Sequence, residues 1–201
     1  MVKSPFIVIQ NFISPMQCEN LVDECNFIIP NKDKDENGTK TVVKNDYVER
    51  IIYKKIEEIL PYMQEYYEFE YKGINTIQVE WFPVGSMQEH KAENSILTNN
   101  KWVRNNINDF TAILFLSDYQ DHPPLDGEFE VYGGKLEFLY HKFGFNPTRG
   151  TLIIFPSGPN FVNCTSRVYM GNLYQIRLQI TATPHWKYDM TKFPGNYTNW
   201  F

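Results

Sequence analysis

The sequence predicts a mainly β, α+β fold in which two N-terminal helices pack on the outside of a sheet. Three observations carry that prediction. Thr151 to Phe155 is an apolar run closed by Gly150 in front and Pro156 behind, the pattern of a short buried strand. Leu173 to Ile180 alternates: Tyr174, Ile176, Leu178 and Ile180 face one way, and Leu173, Gln175, Arg177 and Gln179 the other. One face of that strand is therefore polar enough to line a cavity. Helical periodicity, by contrast, is confined to the first third of the chain.

In order, Phe6-Ile7-Val8-Ile9 reads as a short strand. Ser14-Pro15-Met16-Gln17 then opens a helix, with a hydroxyl and an amide spaced for reciprocal capping and proline where no N–H is needed. Cys18, Leu21, Val22, Cys25 and Phe27-Ile28 form its apolar stripe. Residues 31–41 are polar and read as an exposed loop. A second helix is expected from about Asn45 to Gln64, burying Tyr47, Ile51, Ile52, Ile56, Ile59, Leu60 and Met63, with Pro61 kinking it or ending its regular part. Thr76 to Phe82 is the next strand, turned by Pro83-Val84-Gly85. Residues 96–108, polar around an isolated Trp102, read as a loop over a cavity mouth, and Phe110 to Leu116 as a fully buried strand. Residues 118–127 are turn material. Four strands follow: Gly133 to Phe138, Phe145 to Pro147, Gly150 to Ser157 and Gly171 to Ile180, with Cys164 in a loop. The aromatic tail, 183–201, is expected to dock on its own domain or on another chain.

A length of 201 residues suits one domain, 1–201, with 1–70 as its strand and helix support. Hydrophobic residues at 42% and charged residues at 21% argue against disorder, and aromatics at 16% favour a β-rich core. A net charge of -5 with no basic run excludes a general attraction to nucleic acid or anionic lipid. No apolar run approaches a membrane span or a signal-peptide core, so an intracellular protein is expected. Three Cys, an odd number without a Cys-x-x-Cys pair, fit free thiols rather than a zinc site.

Several phrases resemble a known family: Trp81-Phe82-Pro83-Val84-Gly85 before His90, Asp109-Phe110-Thr111-Ala112-Ile113-Leu114-Phe115-Leu116, Gly133-Gly134-Lys135-Leu136-Glu137-Phe138, and Gly150-Thr151-Leu152-Ile153-Ile154-Phe155-Pro156-Ser157. Together they resemble the prolyl-4-hydroxylase-like branch of the 2-oxoglutarate and Fe(II)-dependent oxygenases, in the version carried by T4-like phages of the cyanophage type. The resemblance implies a double-stranded β-helix, the jelly-roll or cupin-like fold. It also implies an iron held by His-x-Asp/Glu and a distal His, with open positions for 2-oxoglutarate and dioxygen.

Carried over residue by residue, His90 takes the first His and Ala92 the carboxylate position. Glu93 is the neighbouring carboxylate, one residue out of register. Residues 157–170 contain no His, and Asn163 or Asn160 stands nearest the distal position. Leu173 occupies the place of the cation that would hold the cosubstrate; Arg177, on the same strand face, and Tyr174, on the same strand, are the candidates left. Arg177 could equally pair with a strand neighbour such as Glu137. His90 could also be a rim histidine; His122 reads as a solvated loop residue, and His141 and His185 as packing or surface residues.

Two functions follow from the resemblance. The first is a non-catalytic relative needing no cofactor, which acts through protein contacts or self-association of its aromatic tail, as a phage virion or assembly component in the infected cell's cytoplasm or the virion. The alternative is an active hydroxylase of a peptidyl or small-molecule substrate, with Fe(II) on His90, Glu93 and Asn163 and 2-oxoglutarate on Arg177. Neither nucleic acid nor membrane is expected as a partner.

Overall fold

The computed structural model describes residues 3–29, 35–123 and 130–183. Its first strand, β1 (Ile7–Ile9), leads into α1 (Pro15–Ile28), β2 (Thr39–Val42) and α2 (Asp46–Tyr67). The capping box of α1 forms as its sequence requires: the Ser14 hydroxyl accepts from the Gln17 N–H at 3.2 Å, and the Gln17 side chain accepts from the Ser14 N–H at 3.0 Å. Its buried stripe is Cys18, Leu21, Val22 and Cys25, while Phe27 is 81% exposed and does not belong to it. Asn45 caps α2 by accepting from the N–H groups of Tyr47 and Val48, and Asp46 and Glu49 lie where the first turn favours negative charge. Pro61 does not end this helix, which runs on to Tyr67 and stops at Glu68 in the left-handed region. Residues 39–41, expected as loop, belong to β2 instead.

The remaining chain is almost all strand: β3 (Tyr71–Phe82), β4 (Gln88–Lys91), β5 (Ser95–Thr98), β6 (Lys101–Arg104), β7 (Phe110–Phe115), β8 (Asp118–Tyr119), β9 (Glu130–Gly133), β10 (Leu136–Phe138), β11 (Phe143–Phe145), β12 (Leu152–Pro156), β13 (Asn163–Thr165), β14 (Val168–Gly171) and β15 (Leu173–Ala182). A six-stranded sheet runs β1-β12-β7-β15-β3-β2, and a four-stranded sheet runs β11-β10-β13-β4. The strand expected to begin at Thr76 begins at Tyr71, and Cys164 lies on β13 rather than in a loop. All three cysteines are free and buried.

Side-chain alternation sorts the large sheet into two faces. Phe110, Ala112, Leu114, Leu152, Ile154, Tyr174, Ile176, Leu178 and Ile180 join the buried faces of both helices in one core. The other face, with Phe82, Ile113, Phe115, Ile153, Phe155 and Leu173, packs against Leu136 and Phe138 of the small sheet in a second core. The space between the two sheets is therefore a chamber filled by side chains, apolar over most of its length. These layers are a double-stranded β-helix, with the helices outside the large sheet.

Residues 96–104, expected as loop, lie in a two-stranded ribbon of β5 and β6 that pairs with no other sheet among the described residues. Asn99 and Asn100, with φ of 51° and 60°, make the turn that right-twisted hairpins favour. Among the described residues no helix is long and apolar enough to cross a membrane.

Candidate functional site

One end of the chamber is charged. Inward-facing Glu80 of β3 and Gln175 and Arg177 of β15 meet there, because β15 pairs with β3 in a register that sets Gln175 opposite Glu80. Arg177 is fully buried. Its Nε donates to Glu80 Oε1 at 2.9 Å and its Nη1 to Glu93 Oε1 at 2.7 Å. Gln175 Nε2 donates to Glu80 Oε2 at 2.6 Å. Two lysines complete the cluster: Lys40 Nζ lies 3.0 Å from Glu80 Oε1, and Lys91 Nζ lies 3.0 Å from Glu93 Oε2. Lys40 also donates to Gln88 Oε1. The partner of Arg177 is thus not Glu137, which sits on the outward row of the small sheet opposite Cys164 and Gly144.

Electrostatics keeps the carboxylates ionised in this buried place. Burial alone would raise the pKa of Glu80, but Arg177, Lys40 and Lys91 outweigh it and hold the group well below the usual carboxylate range. Glu93 is lowered too: its burial is overcome by Arg177 and Lys91. Lys91 moves down as well, first through burial and then through the neighbouring guanidinium, which Glu93 only partly offsets.

The short strand β4 decides which side chains reach this cluster. β13 pairs with it through Asn163↔Lys91 and Thr165↔Gln88, so two steps along β13 span three along β4. That bulge sets Gln88 and Lys91 on the same, inward side. His90 is turned outward and exposed, on an open groove of about 370 Å³ that also includes Lys135, Glu137, Lys142 and Gly144. The inward pair with i, i+2 spacing is therefore Lys91 and Glu93. Glu93 is buried, and its N–H and that of Asn94 donate to Ser157 O at 3.0 and 3.1 Å. Asn163, opposite Lys91, is fully buried; its Nδ2 donates to Phe161 O at 3.1 Å, while its Oδ1 has no partner.

Of the residues singled out from the sequence, Glu93 and Arg177 are thus in direct contact, Asn163 lies opposite Lys91, and His90 lies on the opposite side of its strand. Tyr174 belongs to the helix-facing core, where its hydroxyl donates to Asn26 Oδ1 at 2.8 Å. Sequence reasoning missed Glu80, Lys91, Lys40 and Gln88. Glu80 carried a readable signal, a charge at the same parity as Phe82 inside an apolar strand; the others depend on the bulge and on an unforeseen edge strand.

The donor set does not fit the iron that the resemblance implies. Lys91 presents an ammonium, both oxygens of Glu93 already face cations, and Asn163 offers a neutral amide oxygen, a weak ligand for Fe(II). Among the described residues no three His, Cys, Asp or Glu side chains are grouped to hold a metal ion.

No family model matches the chain, and no curated protein matches its sequence. Solved structures do. The viral collagen prolyl hydroxylase of Paramecium Bursaria Chlorella virus-1, in its 2OG complex, superposes with a TM-score of 0.66 at 17% identity, over 90% of this chain and 97% of that one. A Pseudomonas putida prolyl-4-hydroxylase gives 0.66 at 12% identity, over 89% and 93%. The Trichoplax adhaerens prolyl hydroxylase in complex with a hypoxia inducible factor peptide gives 0.63 at 14%, over 89% and 84%. At these identities the likeness is one of fold, and the chain has the double-stranded β-helix fold of the prolyl hydroxylases.

Proposed function

We propose that this chain is a metal-free, non-catalytic jelly-roll protein that works through protein contacts, in a phage setting as a virion or assembly component. The observation that supports it most is the closure of the inward positions 91 and 93 by ion pairs: Lys91 and Glu93 bond each other, and Glu93 also holds Arg177. A scaffold can persist when its site changes, because chemistry resides in the site and not in the fold. The β5–β6 ribbon supports a contact role. Its cross-strand pairs Ile96–Val103 and Leu97–Trp102 are all between 37% and 58% exposed, an apolar surface of the kind that partners cover. The aromatic tail expected to share this role lies outside the described residues.

Anaerobic calorimetry with Fe(II) or Mn(II), followed by an assay for succinate from 2-oxoglutarate, tests the reading. No binding at micromolar metal and no succinate is the expected result. The alternative, an active hydroxylase, draws on the burial of Glu93 and the free Oδ1 of Asn163, and succinate formation would establish it. Two variants locate the lost ligand positions. Ala92→Asp completes a His-x-Asp string in the sequence yet should bind no metal, because His90 faces outward. Lys91→His combined with Asn163→His places two imidazoles beside Glu93 and should gain affinity for Mn(II); the reverse ranking would refute the register argument.

A further inference from the structure

The β5–β6 ribbon stands apart from the sheets, and its two edges differ. Among the described residues β5 and β6 pair only with each other, and a lone two-stranded ribbon in water is marginal until further strands join it. Edge β6 carries Lys101 and Arg104, charges of the kind that discourage strand addition. Edge β5, Ser95-Ile96-Leu97-Thr98, carries none.

The register of the hairpin decides which groups of β5 face outward. Thr98 stands opposite Lys101 across the two-residue turn Asn99-Asn100, Leu97 opposite Trp102 and Ile96 opposite Val103. In such a hairpin the residues that flank the turn exchange both main-chain hydrogen bonds, and the next pair exchanges none. The N–H and C=O of Leu97 therefore point away from β6, and among the described residues they bond no backbone outside the ribbon. The Leu97 side chain is also the most open apolar one in the ribbon's strands, at 58% exposed.

We propose that β5 pairs with β5 of a second copy of this chain, antiparallel about a two-fold axis that passes beside Leu97. Residues opposite each other in an antiparallel pair share a face, and a two-fold axis perpendicular to the sheet sets one residue opposite its own copy. Leu97 then meets the partner's Leu97, and the two exchange their outward N–H and C=O groups. Ile96 faces the partner's Thr98, so no like charges are brought together. On one face of the joined sheet Trp102, Leu97, the partner's Leu97 and the partner's Trp102 form a continuous apolar row. A copy of the chain is the occupant because this edge complements itself, neutral along its length although each chain carries a net charge of -5. Such an isologous pairing closes at two copies and leaves the charged β6 edges outermost, where they oppose further addition.

The inference rests on the contact reading above and names its partner, and the two can fail separately. Sedimentation of the full chain from about 1 μM to about 1 mM spans the range in which a small interface associates. The wild type should pass from monomer to dimer and no further. Leu97→Lys and Leu97→Glu each bring like charges together at the axis and should weaken dimerisation at least about tenfold, while an equimolar mixture of the two should regain a dimer. Leu97 is exposed, so both variants should keep the wild-type Tm. The proposal is overturned if the wild type stays monomeric or associates past the dimer, if either variant associates as the wild type does, or if the mixture is no more dimeric than its parts. A monomeric wild type would leave the contact reading standing with another protein on the ribbon. Succinate formation would instead refute the non-catalytic reading, whatever the oligomeric state.

Discussion

The two ends of the chamber are held together by different physics. At the apolar end Phe6, Phe138, Phe155 and Phe161 pack edge to face or tilted, with ring centroids of Phe6 and Phe138 at 4.7 Å and of Phe138 and Phe155 at 4.8 Å. His141 stacks on Phe161 at 4.9 Å, and burial pushes its pKa down to about 4, so it packs there as a neutral ring. At the charged end burial opposes ionisation too, but each carboxylate touches a guanidinium and an ammonium. The difference shows that burial alone does not decide whether a titratable group stays charged; its partners do. Apolar packing tolerates several arrangements, whereas the ion cluster depends on the register of four strands, β2, β3, β4 and β15.

Breaking the charged end should have the larger effect. Arg177→Met leaves two buried carboxylates with partly exposed lysines as their remaining cations and the Gln175 amide on Glu80, and should cost about 3–5 kcal/mol, read from urea unfolding at neutral pH. A wild-type midpoint would show that the lysines suffice without the guanidinium.

Acid should separate the ends next. Because Glu80 and Glu93 have folded-state pKa values below their unfolded ones, their stabilisation is complete above the unfolded carboxyl value of about 4.3 and is lost as pH falls through the lower folded values. Glu80→Gln should flatten that acid limb, and an unchanged limb would assign it to other carboxylates. Smallest is Ile153→Val at the apolar end, expected to cost about 1 kcal/mol by the same amount in mild acid as at neutral pH. A pH-dependent loss there would mean that the two ends are coupled.

Much of this fold is legible in the sequence. The capping box at Ser14, the long α2, the buried run on β12 and the alternation of β15 follow from local chemistry, and the polar inward face of β15 points to the chamber. What the sequence hides depends on pairing partners. A two-against-three bulge leaves no mark in spacing alone, so His90 and Ala92 look like the positions that Lys91 and Glu93 fill. The Asn99-Asn100 turn does carry a hairpin signal within residues 96–108, which the polar surroundings obscure. Strands β13 and β14, at three and four residues, are too short to show a period.

Strand β2 is the border of the large sheet, bonded along β3 and paired to no further strand among the described residues. It sends Lys40 to Glu80, directly opposite on that neighbour. Whatever loosens that lysine's hold therefore lets the margin peel, and the amides of residues 39–42 should exchange with deuterium sooner, reporting at the surface what happens deep inside.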